Sequence, residues 1–152
     1  MAIFYFFLQS IPECVGLIAI SLAVGRVPLR WGHILLGGIV VSIVTFIIRS
    51  FQFSFGLHLP IAIFLIFLLI YKSTLLAQSK IIIAVFSSFV ILAVAELLIS
   101  KTFFAITQME PSQAFANTQL WSLVGLVQAI LLMVIAVVIA HFRKPNEGAW
   151  KK

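Results

Sequence analysis

Hydrophobic positions in this chain gather into five long blocks, Ile3–Val24, Trp31–Ile48, Phe53–Tyr71, Ile81–Ser100 and Trp121–Ala140, with short polar connectors between them. The blocks are apolar on every face. They show neither the strict alternation of a half-buried strand nor the single stripe of a surface helix. A membrane-crossing helix needs about 20 mostly apolar residues, and the blocks fall in that range. Hydrocarbon offers no partner to a backbone N–H or C=O, so a spanning segment must satisfy its own, and helix is the result. The pattern therefore predicts an all-α integral membrane protein. It reads as one membrane domain over residues 1–152, a bundle of five transmembrane helices.

Charge orients the bundle. If each block crosses once, Arg26, Arg30, Lys72, Lys80, Arg143, Lys144, Lys151 and Lys152 share one side, and only Arg49 and Lys101 lie on the other. Short cytoplasmic loops carry the excess of Lys and Arg. The expected topology has the N-terminus outside and the C-terminus cytoplasmic, in the cell (plasma) membrane, with residues 141–152 as a short basic cytoplasmic tail. Met1 to Phe4 carry no basic side chain and the positive charges follow the first apolar run, so a cleaved signal peptide is not expected.

Composition agrees: 63% of residues are hydrophobic and 9% charged, against about 25% charged in a soluble domain. The net charge of +6 sits at the block edges, where it serves topology and lipid head groups rather than nucleic acid. The single cysteine, Cys14, can form no intramolecular disulfide and reads as a small packing residue.

Local signals add detail. Pro12 predicts a kink in the first span. Gly25 and Pro28 punctuate the first basic turn, and Trp31 anchors the second span at the interface. Gly56, His58 and Pro60 make the start of the third span irregular, with firm helix from about Pro60. Residues 101–120 form the longest connector, an amphipathic segment broken at Pro111-Ser112. Gly16, Gly125 and Ala129 are small residues suited to close helix packing.

Candidate chemistry is sparse. All four acids are glutamates, and two of them, Glu13 and Glu96, lie inside blocks. A charge at mid-bilayer costs about 2.5–3.5 kcal/mol or more unless paired, neutralised or wetted. Glu13 lies roughly 15 Å into its helix at the ordinary rise, and Gln9, four residues earlier, shares its face. This pair reads either as a ligand, cation or proton-responsive site, or as a protonated glutamate bonded to Gln9 or Gln128. Glu96 and Arg49 have matching depths and are expected to pair between helices two and four, the alternative being snorkelling to the outer interface. Gln9, Glu13, Arg49, Glu96 and Gln128 together form the candidate polar cluster, for ligand binding or for helix packing. His33 and His141 fall at the inner edge and His58 at the outer, which does not suggest haem ligation. HExxH, CxxC, GxSxG and phosphate-loop motifs are absent. No metal, cofactor, catalytic residue or enzymatic activity is expected.

The run Gln9-Ser10-Ile11-Pro12-Glu13 through Gly16-Leu17, the basic Arg26–Arg30 turn with Trp31, and Ser79-Lys80-Ile81 leading to Glu96-Leu97-Leu98 together resemble a known family. It is the N-terminal membrane region of firmicute sensor histidine kinases of the peptide quorum-sensing type. The resemblance implies an all-helical input module whose external parts meet a signal and whose last span transmits to a cytoplasmic kinase. The chain stops twelve residues after the fifth block, without a phosphoacceptor helix or an ATP-binding domain. The implied protein is then a stand-alone input module, a truncated gene product or the partner of a separate kinase.

The expected function is a non-catalytic membrane sensor or regulatory module that meets a signal on its outer or intramembrane face and acts through a partner. One alternative is a small transport or channel subunit with an intramembrane glutamate on the solute or proton path. Another is a structural membrane assembly protein. The expected partners are the lipid bilayer and a protein, either a separate kinase or carrier subunit, or a second copy of the chain.

Overall fold

The computed structural model describes residues 2–51 and 57–151. Six helices follow in order: α1 Ala2–Val24, α2 Trp31–Ser50, α3 His58–Ser73, α4 Gln78–Thr107, α5 Pro111–Ala116 and α6 Thr118–Phe142. Four of them, α1, α2, α4 and α6, are long and apolar enough to cross a membrane. The fifth apolar helix, α3, has 16 residues, about 24 Å of rise, against about 30 Å of hydrocarbon. Its expected start at Phe53 lies outside the described residues, as does most of the aromatic connector Phe51–Gly56. Helix begins at His58, two residues before Pro60.

Two expectations change. Helix α4 does not stop at Ser100 but continues through Lys101 to Thr107, for 30 residues in all. No helix breaker lies between Gln78 and Thr107, so backbone hydrogen bonding propagates until Gln108 takes a left-handed conformation (φ 51°) and ends it. The twenty-residue connector thereby shrinks to two short joints around α5. Pro111 starts that helix rather than breaking one: it occupies the first turn, where its missing N–H costs nothing. Asn117 then caps α6, its Oδ1 accepting from the Leu120 N–H at 3.2 Å.

Helix α1 is the hub. It packs most extensively on α6, and also on α2 and α4, while α3 bridges α2 and α4. Small residues explain the closeness. A Cβ at Gly16 would press on Leu132, and one at Gly38 would overlap Val15. Without a hydrophobic driving force between helices in lipid, such backbone approach is what holds a bundle together. Ile18, Ala19, Ile20 and Leu22 of α1 are almost fully buried. The outer faces of the other helices carry exposed apolar side chains such as Leu36, Val90, Leu98 and Val134, as lipid-facing surfaces should. Pro12 lies within α1, which runs unbroken on both sides of it.

The first turn is a Schellman motif. Val27 N–H donates to Leu22 O at 2.8 Å and Arg26 N–H to Ala23 O at 3.1 Å. The left-handed position is Arg26 (φ 59°), not the adjacent Gly25.

The C-terminal segment does not hang free. Asn146 N–H donates to Arg26 O at 2.7 Å, Leu75 N–H to Ala149 O at 2.7 Å, and Lys151 N–H to Ser73 O at 3.0 Å. Thr74 and Trp150 form an isolated antiparallel bridge. Trp150 is buried, and its Nε1–H donates to Pro28 O at 2.7 Å. The α1–α2 connector, the α3–α4 connector and the tail therefore meet at one end of the bundle. Helices α1, α3 and α6 run toward that end, and α2 and α4 run away from it. Of the eight cations grouped by the charge pattern, Arg26, Arg30, Arg143, Lys144 and Lys151 lie in those segments, Lys72 and Lys80 in the helix turns that flank the α3–α4 connector, and Lys152 outside the described residues.

Candidate functional site

Away from the basic end, α1, α2, α3, α4 and α6 diverge around a cavity of about 370 Å³. Gln9, Ser10 and Glu13 reach it from α1, Thr45 and Arg49 from α2, His58 from α3, Glu96 from α4 and Trp121 from α6. A smaller cavity of about 50 Å³ adjoins it and shares Gln9, Glu13, Glu96 and Trp121, adding Ser100 and Gln128. All five members of the candidate cluster thus line one or both of two neighbouring spaces. Counting about 1.5 Å per residue from the basic end, Glu13 lies about 16 Å deep, Gln128 about 21 Å, and Arg49 and Glu96 about 27 Å. The site runs from about the middle of the bundle toward the end opposite the basic one.

Helix register explains the arrangement. Gln9 and Glu13 are one turn apart on α1 and present to the same space. Glu96 lines both spaces with Gln9 and Glu13, and Arg49 lines the larger one. The Gln9 amide occupies room that exists only because residue 125 is glycine; a Cβ there would overlap it. Gln128 lies one turn below Gly125 on the same α6 face and is buried. Among the described residues, no buried side-chain nitrogen or oxygen lacks a hydrogen-bond partner.

Arg49 and Glu96 do face one cavity, yet among the described residues they do not form a direct ion pair. The Arg49 Nη2 instead lies 3.2 Å from His58 Nε2, and its guanidinium stands 5.5 Å from the centroid of the Phe6 ring. The bond to His58 requires the Nε2 lone pair to accept. Cation–π contact with Phe6 accounts for part of the remaining stabilisation of the charge. Physically, α2 and α3 follow one another directly, so the end of α2 meets the start of α3 before it can reach α4.

Several lining residues carry no signal in the sequence. His58, Ser10, Thr45 and Trp121 join the cluster only through tertiary placement. Ser10 Oγ donates to Ser42 Oγ at 3.2 Å, linking α1 to α2 just beside the site. Trp121 stacks with Phe104 and meets Phe115 edge-on at 4.6 Å, so α5 and the outer turn of α4 close over the α6 end. Cys14 is buried and lies among the residues that line the larger cavity. Among the described residues, no group of three His, Cys, Asp or Glu side chains is placed to hold a metal ion.

The arrangement defines a class: a multi-pass helical membrane protein with a polar cavity sunk among its helices. No family model matches the chain, and no curated protein or solved structure matches it.

Proposed function

We propose that this chain is a five-span, non-catalytic sensor or regulatory module of the cell membrane, with its N-terminus outside and its C-terminus in the cytoplasm. It receives a signal in the cavity among α1, α2, α3, α4 and α6 and acts through a protein partner at the basic end. The observation that carries this reading is the joint placement of Glu13, Glu96 and Arg49 on the wall of one cavity. Ionisable groups within spans are expensive and mark functional sites by default. Here they come from three helices, so occupancy of the cavity bears directly on how those helices sit.

The fifth span rests on α3. Shorter helices are accommodated by local thinning of the bilayer or by anchoring of flanking residues, and Tyr71 and Lys72 supply such anchors. The orientation rests on the clustering of cations at the end where the tail and two connectors meet. A sensor of the kind this sequence resembles needs its last helix to end on the cytoplasmic side, and α6 runs toward that end. A separate histidine kinase fits the partner's role.

The test is purification of the tagged chain from its native membranes, paired with reconstitution. Recovery of a signalling kinase, whose output changes when Glu13→Gln or Glu96→Gln is introduced while its recovery does not, is the expected result. Proton or cation flux into proteoliposomes that disappears in Glu13→Gln would overturn it in favour of a transport subunit.

A further inference from the structure

We propose that the groove between α2 and α3 at the basic end holds one anionic phospholipid, its acyl chain in the groove and its phosphate against Arg30, His33 and Lys151. The inference rests on the membrane reading above, but not on the sensor role.

The groove has a volume of about 300 Å³ and is lined almost wholly by aliphatic side chains. Ile18, Gly37, Val40 and Leu69 line it, together with His33 and Trp150, which belong to the basic end. It exists because α3 meets α2 less extensively than α1 meets α6. Gly37 deepens it, since a Cβ there would come to 3.1 Å from Leu69 Cδ1 and 3.2 Å from Ile18 Cδ1. Val40 is exposed on the outer face of the bundle, so the groove is open to a lipid chain from the side.

Polarity is confined to one end. The Arg30 guanidinium lies 5.2 Å from the centroid of the Trp150 ring, and the His33 ring 5.5 Å from the same indole. Lys151 Nζ donates to Tyr71 O at 3.1 Å and stands over the Tyr71 ring. That single bond leaves two ammonium hydrogens free to donate. Among the described residues, no carboxylate engages Arg30, His33 or Lys151. A long apolar slot with donors and cations at one mouth complements a molecule with one hydrocarbon chain and one anionic head. A second copy of this chain would bring more cations to the same mouth, and charge disfavours it. Basic pockets between helices on the cytoplasmic side are where anionic head groups bind. The tail has a specific part here: Trp150, drawn in by its bond to Pro28, builds one side of the mouth.

The experiment is native mass spectrometry of the full chain in detergent, titrated with phosphatidylglycerol, phosphatidylcholine or inorganic phosphate. One phosphatidylglycerol should be retained per chain in preference to phosphatidylcholine. Arg30→Gln combined with Lys151→Gln should lower that preference roughly 25-fold, about fivefold for each cation removed, the factor that matches about 1 kcal/mol apiece. Val40→Trp, at an exposed position, should fill the groove and abolish retention without lowering the melting temperature. Equal retention of both lipids, unchanged retention in Val40→Trp, or retention of inorganic phosphate equal to that of phosphatidylglycerol would overturn the proposal. The measurement in micelles reads neither orientation nor partner, so it can fail while the sensor reading stands, and the reverse.

Discussion

The side-chain amide of Gln9 fills the space that Gly125 leaves open: a Cβ at position 125 would overlap Cδ and Nε2 of Gln9. One close contact of α1 with α6 therefore falls in a polar part of their interface. Close packing and the polar cavity depend on one contact, because the amide that borders Glu13 is held in place by the absence of a side chain on α6.

Gly125→Ala should destabilise the bundle by about 1–3 kcal/mol, the ordinary cost of overpacking. Thermal unfolding in detergent measures it. Gln9→Ala in the same chain should recover most of the loss, because it removes the atoms that clash. Equal melting temperatures for the single and double variants would show that the two residues do not compete for space.

Trp150→Ala should release the tail. The change removes the hydrogen bond to Pro28 and the burial of a large ring, together worth about 2–4 kcal/mol. Limited proteolysis with trypsin after Arg143 should become fast in this variant, while cleavage elsewhere stays unchanged; the Lys144–Pro145 bond resists the protease in either form. A tail equally resistant with alanine at 150 would mean that the backbone bonds to Arg26, Ser73 and Leu75 hold it alone.

Arg26→Gly should stabilise the protein. Arg26 adopts φ 59° at the position of the Schellman turn where glycine is preferred. A side chain in the left-handed region costs about 1–2 kcal/mol, so the glycine variant should gain about 1 kcal/mol after its greater unfolded-state freedom is counted. A lower melting temperature would indicate that the arginine charge matters more than the backbone strain.

Ser88→Ala should cost little. Ser21 Oγ lies 3.0 Å from Ser88 Oγ across α1 and α4, and the Ser21 hydroxyl also reaches Leu17 O at 2.8 Å. Interhelical bonds of this kind average about 0.6 kcal/mol in a membrane bundle. A loss above about 2 kcal/mol would mark this serine pair as a main fastening of the two helices.

The polar cluster was legible as a set of residue types at matching depths, because a glutamine or glutamate inside an apolar block is conspicuous in itself. Its closure was less so. His58 sits in the irregular start of the third block and gives no sign that it will accept from Arg49 in place of Glu96. Trp121 opens the fifth block and gives no sign there that Phe104 and Phe115 will gather around it. The extension of α4 past Lys101 was also hidden, since one lysine near a predicted membrane edge marks where lipid ends but does not stop a helix.

The chain itself dictated that the protein is helical and apolar enough for lipid, which residues are polar within its blocks, and which cations fall together. These follow from local hydropathy and from the backbone's need for partners. Tertiary structure alone decided that α1 is the hub, that five polar residues from four helices share adjoining cavities, and that the tail turns back to bind two connectors. In hydrocarbon every apolar face is equally well solvated, so hydropathy does not select which faces meet. Shape decides instead: a missing Cβ at Gly16, Gly38 or Gly125, and one indole that reaches the carbonyl of Pro28.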